Sequence, residues 1–150
     1  MLRSAPTTEC PPLKMKDRST ILCVRDSKLL LVARSRSRWS LPGGTIKRLE
    51  TPLDAARREL EEETNVVEVH LTYLFQFGGL NKRHHVFLAE FARDISPEPG
   101  NEIAQCRWFT PIKIQTLSAS IPTRAIVGLF IRFDDRGYGR GSGHGRFVGQ

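Results

Sequence analysis

Glu59, Glu62 and Glu63 stand at i, i+3 and i+4. On an α-helix those positions share one face one turn apart, so three carboxylates project together. Like charges so spaced destabilise a helix by roughly 0.2–0.5 kcal/mol per pair, and the cluster therefore needs open solvent or a counter-ion. A hard divalent cation such as Mg2+ answers that need, because it takes carboxylate and water oxygens and shares substrate phosphates as ligands. Arg58, next to Glu59, can pair with neighbouring carboxylates and fix their direction. A solvated acidic face is the plain alternative for such a cluster taken alone.

The cluster also runs against the charge of its own chain. Across residues 52–65, Asp54, Glu59, Glu61, Glu62 and Glu63 outweigh Arg57 and Arg58 for a net of −3, whereas the whole chain carries +7. The remainder is thus +10, a basic surface around an acidic spot, which suits a polyanionic ligand that meets metal ions there.

The elements that must position these groups can be read around them. Thr51 can N-cap a helix, Pro52 takes its first position and Asp54 falls at N3. Leu53, Ala56 and Leu60 supply an inward stripe, and Asn65 tolerates the left-handed stop conformation. Before the helix come "STILCV" and "KLLLVAR", separated by Arg25, Asp26 and Ser27, which predicts a hairpin, and then "WSLPGG", whose proline and paired glycines force a turn. After it, "VVEVHLTYLFQF" and "HHVFLAEFARDI" read as strands around the turn 78–83, "AQCRWF" as a short strand, and 121–133 as a second helix. Strands, helix, strands, helix predict an α+β or layered αβα domain with a mixed sheet.

At 150 residues the chain suits one domain with a real core. We expect a leader without structure over 1–18, a folded domain over 19–133 and a flexible glycine- and arginine-rich tail over 134–150. Cys10, Cys23 and Cys106 form no C-x-x-C pair, so reduced structural thiols of a cytoplasmic protein are expected. The first eighteen residues lack the apolar segment of a signal peptide, and no apolar run reaches membrane-span length.

Gly44, Glu50, Arg58, Glu59, Leu60, Glu62, Glu63, Asn65 and Val66 together resemble the Nudix box, G-x5-E-x7-R-E-U-x-E-E-x-G-U with U apolar. Eight of nine constrained positions match, and the departure is Asn65 where the family has glycine. Since that glycine ends the helix at positive φ, asparagine is the least costly replacement, with strain of about 1 kcal/mol or less. The resemblance implies a Nudix-like αβα sandwich and a Mg2+- or Mn2+-dependent hydrolase of a nucleoside diphosphate linked to another group. It implies Glu59, Glu62 and Glu63 as metal ligands, the Gly43 carbonyl as a further one beside Gly44, and Glu50 and Arg58 as buttresses of loop and helix. It leaves the general base between Glu59 and Glu102, with Glu98 a third candidate, Glu102 sitting on a loop able to swing toward the metals. It also implies that Arg34, ahead of Arg36 and Arg38, reaches substrate phosphates.

Other residues have simpler readings. Trp39 is expected beneath the glycine loop, Phe75, Phe77, Phe87 and Phe91 in the core, and one of Trp108 and Phe109 beside the pocket. Lys82, Arg83, His84 and His85 are expected as an exposed turn or a phosphate contact, since adjacent strand histidines face opposite ways and cannot share a metal. Within the family, a nucleoside triphosphate, dinucleoside polyphosphate or diphosphoinositol polyphosphate suits the short chain and "RWSLPGG". The proline expected about fifteen residues past the box for ADP-ribose is absent, Pro97 being the next. Two other classes compete: a catalytically silent Nudix-fold binding or regulatory domain, which the intact glutamates oppose, and an RNA-binding or 5′-end-processing protein using the basic surface and tail. The expected state is monomer or homodimer.

Overall fold

The structure, a computed structural model, describes residues 14–135. Cys10 and the glycine- and arginine-rich stretch from 136 onward, with the calls made on them, lie outside the described residues. The elements run β1 (Lys16–Arg25), β2 (Lys28–Arg34), β3 (Gly43–Thr45), α1 (Pro52–Thr64), β4 (Thr72–Gly78), β5 (Lys82–Glu90), β6 (Ile103–Phe109), α2 (Pro111–Thr116) and α3 (Ile121–Asp135).

The β1–β2 hairpin forms where the sequence places it, with Val24 opposite Leu29 and Arg25 opposite Lys28. Asp26 and Ser27 take positive φ of 48° and 60°, the twist that a tight hairpin connection needs. The sheet order is β4-β5-β1-β2-β6, with β3 paired to β1 off this path. β1 and β5 run parallel from Lys16 opposite Lys82 to Val24 opposite Glu90, while β1–β2, β2–β6 and β4–β5 are antiparallel. The sheet is therefore mixed.

Alternation along the central strands sends their apolar residues to two cores, as expected of strands covered on both faces. Ile21, Cys23, Leu30, Phe87 and Ala89 pack with Ala56 and Leu60 of α1. Leu22, Leu29, Leu31 and Val86 pack with Ile114 of α2 and Ile126, Val127 and Phe130 of α3. Helices thus cover both faces, and the αβα layering holds.

Several boundaries differ from the sequence reading. β1 begins at Lys16, so Lys16, Asp17 and Arg18 belong to the sheet rather than to a leader; their partners on β5 lie over sixty residues away, beyond any local signal. α3 continues through Asp135, two residues into the stretch read as tail. The segment 66–71 is not strand, and α2 is an additional short helix that its N-cap, Thr110, starts by accepting from the Lys113 amide. Phe87 and Phe91 join the α1-side core, while Phe75 and Phe77 pack on the opposite one, because β4 shifts register between Tyr73 and Phe75. Among the described residues no helix is long and apolar enough to cross a membrane.

β1 and β2 are paired only at their hairpin end. Further along, β3 takes β1's edge through Arg18–Thr45, Ser19–Gly44 and Thr20–Gly43, and Val32 and Ser40 exchange backbone hydrogen bonds on the β2 side. The chain 39–45 thereby fills the parting between the strands. α1 is fastened above it, the Ser19 hydroxyl donating to the Pro52 carbonyl.

Candidate functional site

The local signals for α1 are realised at both ends. The Thr51 hydroxyl accepts the Asp54 amide at 3.1 Å, Pro52 occupies the first turn, and Asn65 closes the helix at φ 59° with its amide on the Glu61 carbonyl. Inward sit Ala55, Ala56, Leu60 and Thr64. Leu53, read as part of that stripe, is 37% exposed, and Ala55 takes the inward place.

Arg58 organises the side that carries the carboxylates. Its Nε and Nη2 donate to the two oxygens of Glu50 at 2.7 and 2.9 Å, a bidentate pair, and Nη2 also donates to the Thr45 carbonyl at 3.2 Å. Its Nη1 donates to Glu59 Oε1 at 2.7 Å and Glu62 Oε2 at 3.3 Å. One guanidinium therefore ties the loop after β3 to two helix carboxylates. The pair with Glu50 raises the Arg58 pKa still further, and Arg58, aided by the Lys47 amide, holds the Glu50 carboxyl down at about 2.

That shift fixes a pH dependence. Glu50 is depressed on folding from the usual 4.5 to about 2, so its contribution is complete above pH 4.5 and is lost as pH falls through 2. In denaturant titrations across that window, stability should fall with acid in the parent protein. Glu50→Gln should be less stable near neutrality and should lack this part of the acid slope.

The other two carboxylate contacts fall on the paired glycines. The Glu59 carboxylate lies against Gly44, where a Cβ would meet its Cδ and Oε1 in overlap. Gly43 has φ +153°, and its amide donates to Glu63 Oε1 at 3.2 Å. Burial pushes the Glu63 carboxyl up to about 7; the Gly43 amide opposes that rise, the Glu59 charge adds to it, and Arg18 and Arg34 pull it back. Glu63 is thus a half-buried acid whose carboxyl is raised first by burial and then by the neighbouring Glu59 charge.

Among the described residues no three acidic, histidine or cysteine side chains converge closely enough to enclose a metal ion as they stand. Glu59 and Glu62 already share one cation, the Arg58 guanidinium. Each of Glu59, Glu62 and Glu63 has one oxygen engaged and, among the described residues, one oxygen without a hydrogen-bond partner. An open set of carboxylate oxygens fits a hard cation that keeps waters and shares ligand oxygens.

The structure brings Glu50, Arg58, Glu59, Glu62 and Gly44 together, and sets Glu63 beside Gly43. Arg34 lies at the end of β2, its Nη1 3.3 Å from Glu102 Oε2, with both side chains largely exposed. Arg36 has φ 58° and the Ser37 amide bonds back to the Arg34 carbonyl, so a turn interrupts the alternation expected of Arg34, Arg36 and Arg38. Arg18 is the group that sequence reasoning missed. It faces Glu63 electrostatically, and the only signal for it was the β1 register.

The remaining expectations divide. Trp39 packs edge-on against Phe109 at 5.0 Å, as expected of a residue beneath the loop. Trp108 packs against Phe91 with Arg25 over its ring, so both members of the Trp108–Phe109 pair serve the cores. Lys82 to His85 form the start of β5, not an exposed turn. His84 is buried on Thr20 Oγ1, whereas His85, on the other face, bridges Tyr73 and Asp17. Burial first, then Arg18 and Lys82, hold His84 down at about 4, so it stays neutral.

The family model described as NUDIX domain matches residues 15–127. The chain is 32% identical over 102 residues to a CMP-5'-(N-acetyl-N-hydroxy-3-aminopropyl)phosphonate hydrolase of Streptomyces rubellomurinus, covering 60% of this chain and 50% of that protein. It is 59% identical over 34 residues to an RNA pyrophosphohydrolase of Bartonella henselae, covering 23% and 20%. The chain therefore spans half or less of the curated relatives it matches. A crystal structure assigned to the nudix hydrolase family, from Chromobacterium violaceum, superposes with a TM-score of 0.74 at 27% identity over 87% of this chain and 86% of that one.

Proposed function

Given that the chain belongs to the NUDIX domain family, we propose that it is a hydrolase of diphosphate linkages in a nucleotide-type substrate, working with Mg2+ or Mn2+ held by Glu59, Glu62 and Glu63. The observation that carries this reading is the crowding of those carboxylates over Gly43 and Gly44 with one buttressing guanidinium and a Glu63 carboxyl raised to about 7. Such a site binds positive charge. Bound there, a divalent cation supplies Lewis-acid polarisation of a phosphoryl oxygen and a water of lowered pKa.

The chain's own residues supply the rest. Arg58 and Glu50 hold the helix and loop in fixed relation, so the carboxylates are preorganised. Arg18 and Arg34, whose charges reach Glu63, attract phosphate oxygens. Glu59, whose carboxylate is pinned between Arg58 and Gly44, and Glu102, held by Arg34, are the two groups able to take a proton from the attacking water.

The names of the relatives support a nucleotide with a phosphate-derived leaving group, and the basic surface supports a highly charged one. A nucleic acid 5′ end is the second reading, favoured by the excess of Arg and Lys and by the 34-residue match to an RNA pyrophosphohydrolase. Phosphate and pyrophosphate release should be measured with Mg2+ or Mn2+ on nucleoside triphosphates and a 5′-triphosphate RNA, and nucleotide products by chromatography on dinucleoside polyphosphates. Metal-dependent release from one class identifies the substrate. Tight binding without any hydrolysis product supports a sensor and removes the hydrolase reading.

A further inference from the structure

We propose that Asn65 is a positioning residue that straps the loop 96–102 to the carboxylate end of α1, so that this loop is a fixed wall of the site. As an element of the site, the proposal rests on the hydrolase reading; the strap itself does not. A helix end leaves its last carbonyls without intrahelical donors. Here the loop supplies them: the Glu98 amide donates to the Thr64 carbonyl at 2.9 Å and the Gly100 amide to the Glu63 carbonyl at 3.1 Å. The Cys106 thiol approaches the Glu63 carbonyl as well, at 3.9 Å.

Asn65 adds a strut in the opposite direction. Its Nδ2 donates to the Glu98 carbonyl at 2.9 Å and to the Pro99 carbonyl at 3.5 Å. Both neighbours are acceptors, which fixes the amide with nitrogen facing the loop. Helix and loop are therefore bonded reciprocally, donors running each way between 63–65 and 98–100. Glu102 follows two residues after Gly100 and meets Arg34, which lies opposite Ile103 in the β2–β6 pairing. Glycine would satisfy the left-handed φ of 59° at least as well as asparagine, so backbone conformation alone does not call for this side chain. The strap does.

The two roles give different outcomes for Asn65→Gly. If only conformation matters, the variant is as well protected as the parent. If the strap matters, amide exchange at Glu98 and Gly100 should quicken by about tenfold while Ala56 and Leu60 amides keep their rates. Asn65→Asp keeps the size and the turn tolerance but replaces the donor by an acceptor facing carbonyls, and should quicken the same two amides. With a turned-over nucleotide in hand, Asn65→Gly should lower kcat more than it raises KM, and Glu102→Gln should cost it less activity than it costs the parent. Unchanged exchange at Glu98 and Gly100 in both variants would overturn the strap. Exchange that quickens with kcat and KM unmoved would confine the strap to stability and overturn the positioning role. A parent protein that hydrolyses no nucleotide removes the hydrolase reading, and exchange then still decides the strap.

Discussion

Glu59→Gln should yield a folded protein with turnover lowered by about 10²- to 10⁴-fold. Glutamine keeps the volume of glutamate and an oxygen able to accept from Arg58, so the contact with Gly44 and the Arg58 bond survive. What is lost is one negative charge in a site whose proposed work is to hold cations and to accept a proton. The melting temperature should move by about 4 °C or less, since one partly exposed ion pair changes in a chain of this length. Glu62→Gln should act in the same direction; its side chain is more open, 37% exposed against 15% for Glu59. Product release at saturating Mg2+, read beside a thermal melt, checks both. Near-parent turnover with Glu59→Gln would remove Glu59 from the metal and base roles together.

How far the sequence foretold this molecule depends on the distance over which each feature is encoded. The start, stop and carboxylate face of α1 were legible because Thr51, Pro52, Asp54 and Asn65 act within one turn of themselves. The β1–β2 hairpin was legible for the same reason. The Glu50–Arg58 buttress was legible only through the family resemblance, since no local rule pairs residues eight apart across a loop. Features set by the parallel β1–β5 pairing were not legible at all. That register decides that Arg18 stands in the sheet near Glu63, and that His84 is buried on Thr20 while His85 faces Asp17. Asn65 shows the intermediate case: its left-handed turn was foreseen, and its bonds to Glu98 and Pro99 were not, because the loop returns from 33 residues away. Glu102, expected from the resemblance on a loop able to swing, pairs here with Arg34 and follows a loop whose Glu98 and Gly100 amides are bonded to α1.

Gly43→Ala and Gly44→Ala should separate stability from activity although they are neighbours. At Gly43 a Cβ would overlap the Ser19 carbonyl oxygen, and the φ of +153° is one that side chains rarely adopt. Both sides of that contact are backbone of paired strands, so neither can yield without opening β1–β3. Strain and overpacking together should cost on the order of 3 kcal/mol and lower the melting temperature by about 6–12 °C. At Gly44 the new methyl would meet the Glu59 carboxylate, the far end of a flexible side chain. Glu59 can swing aside, so stability should fall by about 1 kcal/mol or less. Swinging aside takes its carboxylate off Arg58 and away from Glu63, so activity should fall nearly as far as in Glu59→Gln. Thermal unfolding and product release, measured on both variants, test the contrast. A Gly44→Ala protein with parent turnover would mean that Glu59 does its work from some other position than the one against Gly44.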